Sequence, residues 1–119
     1  MKSRKELKEE YKQMKFPMGV FQIRNLVSGK IYIGSSLDLN AAWRSQRFQL
    51  NAGSHLVEQL QKDWNQLGAD NFVYEVLDEV KPDDSKNLDC NKEVKALEEI
   101  YIESLQPFDD KGYNWRRKR

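Results

Sequence analysis

The sequence contains one cysteine, Cys90, and one histidine, His55, among its 119 residues. One cysteine cannot form an internal disulfide, so the composition favours a reducing, cytoplasmic location. These two residues also cannot supply the four ligands of a structural zinc site. No apolar run approaches the roughly 18 residues that a membrane-spanning helix needs, and the first residues lack the apolar stretch of a signal peptide. We therefore expect a cytoplasmic protein without a membrane segment.

Charge is abundant but unevenly distributed. The 20 basic and 19 acidic residues give a net charge of +1, and the 39% of hydrophobic residues suffices for the core of one domain. Residues 1–16 carry six Lys or Arg against three acids, and the chain ends in a basic tail, Arg116, Arg117, Lys118 and Arg119. Such ends either contact phosphate backbones or keep a terminus solvated. Both interpretations remain open.

Hydrophobic periodicity predicts an α+β fold, in which helices flank a small, mainly antiparallel, three-stranded sheet. Two β-branched and aromatic runs flank a Ser-Gly turn, which indicates a hairpin. The predicted strands are 19–24, 31–34 and 71–79, and the helices that follow the hairpin are 39–51, 54–67 and 92–105. We expect Asp38 to cap the first of these helices and Gly53 to end it. Residues 81–91 form a polar loop.

An additional N-terminal helix is predicted over residues 3–15, with a narrow apolar stripe that ends before Pro17. This helix could dock on the body of the protein, pair with a second copy or another protein partner, or lie against nucleic acid. The predicted organisation is a helical extension over 1–17, one domain over 18–114 and a basic tail over 115–119.

Glu98 is the most informative residue of the last helix. At about 100° per residue, it falls inside the apolar arc of that helix. This arc is formed by Val94, Tyr101, Ile102 and Leu105. A buried carboxylate needs a cation, a metal or several hydrogen bonds, so Glu98 is either a functional ligand or one half of a structural salt bridge.

Tyr32 is the second candidate. It shares a strand face with Gly34, and small residues follow it, so that a substrate backbone could approach the strand end. The alternative is an ordinary, half-buried strand tyrosine.

The sequence resembles the GIY-YIG nuclease superfamily. Gly19-Val20-Phe21 is followed, after ten residues, by Tyr32-Ile33-Gly34-Ser35, in the manner of that superfamily's two signature triplets. The resemblance spans residues 18–114. This part of the sequence is similar to the catalytic domains of phage homing endonucleases. Its further features are Trp43, Gly53-Ser54-His55, residues 60–65, Gly68 before Phe72, Leu97-Glu98 and Gly112-Tyr113-Asn114.

This resemblance implies hydrolysis of DNA phosphodiester bonds with one divalent metal, Mg²⁺ or Mn²⁺. By position, Tyr32 matches the tyrosine of the second triplet, which assists the removal of a proton from water. Glu98 matches the metal-binding glutamate, and Asn114 matches a late asparagine of the site. A single carboxylate completed by water suits Mg²⁺, which keeps much of its hydration shell.

Three positions depart from the superfamily pattern. Phe21 stands where the first triplet has a tyrosine, Ala42 where a helix arginine is expected, and Gln46 where a histidine or tyrosine is expected. A missing arginine removes stabilisation of the phosphoryl charge, so we expect an endonuclease of reduced activity. The alternatives are a DNA-binding module that has lost efficient cleavage and a protein-interaction domain that uses the N-terminal helix.

DNA is the expected partner, and arginines outside the signature positions could contact it. The residues predicted to bind nucleic acid are Arg24, Arg44, Arg47, Arg116, Arg117, Lys118 and Arg119.

Overall fold

The computed structural model describes residues 17–80 and 90–115. The elements are β1 (Met18–Asn25), β2 (Ile31–Ser36), α1 (Leu39–Ala52), α2 (Glu58–Leu67), β3 (Phe72–Val80) and α3 (Cys90–Leu105). The strands form one antiparallel sheet in the order β2-β1-β3, which confirms the predicted α+β fold. The predicted N-terminal helix, the loop segment 81–89 and the basic residues 116–119 lie outside the described residues. Within the described ranges, no helix is long and apolar enough to cross a membrane.

The β1–β2 hairpin forms where its sequence predicts it. The Asn25 side-chain oxygen accepts hydrogen bonds from the backbone N–H groups of Val27 and Ser28, and Gly29 adopts a φ of 81°. An asparagine that bonds the backbone two residues on and a glycine at positive φ are typical of such turns. The turn sets a register in which Ile23 pairs with Tyr32. Tyr32 therefore points to the same sheet face as Ile23.

The main hydrophobic core lies between this sheet face and helices α1 and α2. Phe21 and Ile23 supply it from the central strand, while Tyr32, Ala42 and Trp43 pack against it. Its fully buried members are Phe21, Ile23, Leu39, Leu50, Val57, Leu60, Trp64, Phe72 and Tyr113. This face of the sheet is thus closed by the two central helices.

Helix α3 covers the other face of the sheet. Val20 and Ile33 alternate away from the main core, yet both are fully buried, and α3 contacts β1 and β2. The Tyr101 hydroxyl of α3 donates to Asp78, which pairs with Val20, at 3.0 Å. The sheet is therefore sandwiched between α1 and α2 on one side and α3 on the other.

Helix boundaries follow the predictions with two corrections. The side chain of Asp38 caps α1, and Gly53 ends it with a φ of 75°, as expected. Helix α2 begins at Glu58 rather than at residue 54, because the His55 ring nitrogen Nδ1 accepts the N–H of Val57 and holds residues 55–57 in a turn. Helix α3 begins at Cys90, two residues before the predicted start.

Residues 112–114 close the outer edge of β2. Because β2 is an edge strand, the backbone groups of Ile31 and Ile33 that point away from β1 have no neighbouring strand to pair with. The N–H of Tyr113 donates to the Ile31 carbonyl at 2.9 Å, and the Asn114 side chain bonds both backbone groups of Ile33. The strand that carries Tyr32 is thereby fixed on both sides.

Candidate active site

Tyr32 lies half-buried on β2, with its ring against the loop that joins α1 and α2. Its ring meets the His55 ring edge-on, with 5.7 Å between centroids and an interplanar angle of 87°. Burial raises the pKa of the Tyr32 phenol, and the negative charge of Glu98 raises it further. The phenol is therefore protonated at neutral pH and lies within electrostatic range of Glu98.

Glu98 is buried as its helical position predicts, with 9% of its surface exposed. It projects from α3, whose preceding turn buries Val94 against the sheet. The ammonium of Lys95 lies 3.6 Å from the Glu98 carboxylate oxygen Oε2, and the Lys95 side chain is 64% exposed. Glu98 is therefore paired with a cation on its own helix and also acts on Tyr32.

His55 joins the site, although sequence analysis named it only as part of the resemblance and not as a site residue. Its Nδ1 accepts a hydrogen bond from the N–H of Val57 at 3.0 Å, so the proton resides on Nε2, which donates to the side-chain oxygen of Gln46. Burial lowers the pKa of His55, which keeps the ring neutral at pH 7. The signal available in the sequence was that His55 is the chain's one histidine and directly follows Gly53-Ser54.

Asn114 reaches the site through the backbone of β2. Its Oδ1 accepts from the Ile33 N–H and its Nδ2 donates to the Ile33 carbonyl, each at 2.9 Å. Because Ile33 directly follows Tyr32, this clamp fixes the strand that presents the phenol. The structure therefore gives Asn114 a positioning contact at the strand that carries Tyr32.

The three departing positions are occupied by packed side chains. The Phe21 ring lies 5.2 Å from the Tyr74 ring and covers Gly34, where an added Cβ would come within 2.6 Å of Phe21 Cζ. Ala42 packs against the main core, and the Gln46 side-chain oxygen accepts a hydrogen bond from His55 Nε2–H. None of these three side chains offers a positive charge to a phosphate.

The nearby arginines predicted to bind nucleic acid have other neighbours. Arg24 pairs across the hairpin with Ile31, so it points to the sheet face opposite to Tyr32, and its Nε donates to Glu75 at 2.7 Å. The Arg47 guanidinium stacks over the Trp43 ring, with Cζ 5.7 Å from the ring centroid, and Arg44 is exposed. The structure does not place any of these three beside Tyr32.

Oxygen atoms are the groups that could hold a metal here. The described residues contain no group of three or more His, Cys, Asp or Glu side chains arranged around a metal position. Beneath α3, however, the buried Ser35 hydroxyl on β2 has no hydrogen-bond partner, and Glu98 projects from α3 itself. A single carboxylate with a hydroxyl suits Mg²⁺, which binds few protein oxygens and retains water.

The three-stranded antiparallel sheet and its flanking helices are similar to the catalytic domain of a homing endonuclease. Two solved structures share this fold. One, the catalytic domain of homing endonuclease I-TevI, has a TM-score of 0.69 and 27% identity, covering 84% of this chain and 99% of that domain. Its E75A mutant has a TM-score of 0.69 and 25% identity, covering 83% and 93%.

A curated relative agrees with the structural neighbours. Intron-associated endonuclease 1 of Enterobacteria phage T4 is 32% identical over 62 residues, which are 52% of this chain and 25% of that protein. The chain thus spans about a quarter of the length of this relative. No protein-family model matches the sequence. The resemblance to GIY-YIG nucleases predicted from the signature triplets is nevertheless confirmed by these comparisons.

Proposed function

We propose that this chain is a GIY-YIG-type endonuclease domain that hydrolyses DNA phosphodiester bonds with one divalent cation. The likeness to the catalytic domain of a homing endonuclease supports a nuclease function. The observation that carries the proposal is the burial of a carboxylate, Glu98, on the last helix of a fold shared with that catalytic domain. Tyr32 lies on the sheet face that packs against α1 and α2, whereas Glu98 projects from α3 on the other face.

Tyr32 takes part in the reaction as a hydrogen-bonding group. Since burial raises its pKa above the ordinary value for a phenol, Tyr32 is protonated at neutral pH. A protonated hydroxyl donates to a phosphate oxygen and accepts from the attacking water, so it orients that water for in-line attack at phosphorus. His55 holds the Tyr32 ring from the side, and Asn114 holds the strand beneath it.

Glu98 is the residue that would hold Mg²⁺ or Mn²⁺, with the Ser35 hydroxyl as a further oxygen on the same face of the sheet. The cation supplies Lewis acidity and positive charge beside the leaving oxygen when it is bound. The carboxylate therefore has the task of fixing that charge on the sheet face that α3 covers.

The test is nicking of supercoiled plasmid by the purified chain with Mg²⁺ or Mn²⁺. Glu98→Gln keeps the size of the side chain and removes its charge, and we expect it to lower the cleavage rate by about 10²-fold or more. Glu103→Gln, an exposed change on the same helix, is the matched control and should leave the rate unchanged. Cleavage that survives Glu98→Gln would remove this carboxylate from the mechanism.

A DNA-binding module with inefficient cleavage is the second candidate, and the Phe21 and Ala42 positions favour it. Neither side chain can stabilise phosphoryl charge or move a proton. This candidate predicts retention of DNA without cuts. If the four cations of residues 116–119 each contact a phosphate, their deletion should flatten the slope of log affinity against log salt by about 3.6. An unchanged slope would exclude that role for the tail.

A further inference from the structure

Phosphodiester hydrolysis places growing negative charge on the phosphate oxygens, and a positively charged side chain beside them is a large source of rate enhancement. Arg24, Arg44 and Arg47 are not placed for this task. Arg24 is held by Glu75, Arg47 is stacked over Trp43, and Arg44 lies exposed on α1. Among the described residues, a cation on another element is therefore the candidate source of this charge.

Lys95 is the cation that the structure places beside the candidate metal carboxylate. One turn separates it from Glu98, and its Nζ lies 3.6 Å from Glu98 Oε2. Glu98 is almost fully buried, whereas the Lys95 side chain is 64% exposed, so the lysine approaches the carboxylate from the solvent side. A DNA phosphate must approach Glu98 from that same side.

The ion pair between these residues is easily exchanged. A lone lysine–carboxylate contact with an exposed partner contributes little to stability, because solvent screens it and the long side chain loses entropy when it is held. A divalent cation at Glu98 would replace the ammonium electrostatically. The released ammonium, on a flexible four-carbon stem, would then meet the phosphate that the cation attracts.

We propose that Lys95 is a catalytic residue of this chain, which leaves Glu98 when a divalent cation binds and then contacts the scissile phosphate. The inference rests on the proposed nuclease function. It adds to that function a positively charged group, which Ala42 does not supply at the position where the superfamily has an arginine. It also makes Lys95 a competitor of the cation for Glu98. Removal of the lysine should therefore have opposite effects on cation binding and on cleavage.

The experiment compares Lys95→Met, Lys95→Arg and the control Lys92→Met, which removes one positive charge from the same helix without a change at Lys95. Cleavage is measured in single-turnover assays, DNA affinity by binding with Ca²⁺, and Mg²⁺ affinity by the amide chemical shifts of α3 without DNA. Lys95→Met should tighten Mg²⁺ binding severalfold and lower the cleavage rate by roughly 10²-fold, with DNA affinity close to that of Lys92→Met. Lys95→Arg should recover most of the rate, because arginine also binds phosphate.

The outcomes separate the two proposals. If the unmodified chain cleaves DNA and Lys95→Met behaves like Lys92→Met in the cleavage and Mg²⁺-binding assays, Lys95 has no catalytic role and the nuclease function stands. If Lys95→Met weakens Mg²⁺ binding, the lysine does not compete with the cation and the proposed exchange is wrong. If the unmodified chain cleaves no DNA with Mg²⁺ or Mn²⁺, the proposed function fails, and the catalytic role of Lys95 fails with it.

Discussion

The clamp between Asn114 and β2 gives a prediction of definite size. Asn114→Ala removes two hydrogen bonds of 2.9 Å and leaves the N–H and carbonyl of Ile33 without partners, although Ile33 is only 1% exposed. An unsatisfied buried backbone group costs about 1–3 kcal/mol. Because Asn114 is half-buried and water can enter the vacated space, we expect the low end for each group, or about 2 kcal/mol in total.

Urea unfolding followed by tryptophan fluorescence measures this loss, which corresponds to a fall in melting temperature of roughly 8 °C. Asn40→Ala is the control, since it truncates an exposed asparagine on α1. Under conditions where the variant remains folded, its cleavage rate should also fall, because the loss of the clamp releases Ile33, which directly follows Tyr32. A loss of less than about 0.5 kcal/mol, which is ordinary for a surface substitution, would refute the clamp.

Three further predictions concern the neighbouring side chains. Phe21→Tyr combined with Ala42→Arg should raise the nicking rate if the rest of the site is assembled, and no increase in a folded variant would show a repurposed site. Because the pKa of His55 is lowered in the folded chain, protonation favours unfolding, so the melting temperature should fall as the pH drops below about 6.5, and His55→Gln should make that fall shallower. Tyr113→Phe removes hydrogen bonds to Asn25 and Asp63 and should cost about 1–3 kcal/mol in urea unfolding, whereas an unchanged midpoint would contradict it.

Local sequence signals predicted the parts of the fold that depend on neighbours along the chain. The cap at Asp38 and the left-handed Gly53 follow from the chemistry of single residues. The burial of Glu98 follows from its place in an apolar arc. In the hairpin, Arg24 pairs with Ile31, which directly precedes Tyr32. Strand alternation therefore implies that Arg24 and Tyr32 point to opposite faces of the sheet.

The contacts that complete the site depend on tertiary structure and could not be predicted in this way. Asn114 is separated from Ile33 by 81 residues, so no local pattern specifies that its amide pairs with an edge strand. His55 was assigned to a helix because Gly53 ends the preceding one. Instead, its bond to Val57 holds a turn that brings the ring to Tyr32. Both contacts come from loops, whose paths are set by the elements they join.

The three departing positions are filled by side chains that make contacts of their own. The Phe21 ring contacts the Tyr74 ring, and the Gln46 side-chain oxygen accepts a hydrogen bond from His55 Nε2–H. Replacing Phe21 or Gln46 by the residue that the superfamily has there must therefore break an existing contact before it can add a catalytic group. For Lys95 the contact that must break is a solvent-screened ion pair with Glu98, since the Lys95 side chain is 64% exposed. The proposed role of Lys95 therefore predicts that Lys95→Met has a larger effect on cleavage than a substitution at Ala42 or Gln46, because it removes a charge that already lies beside Glu98.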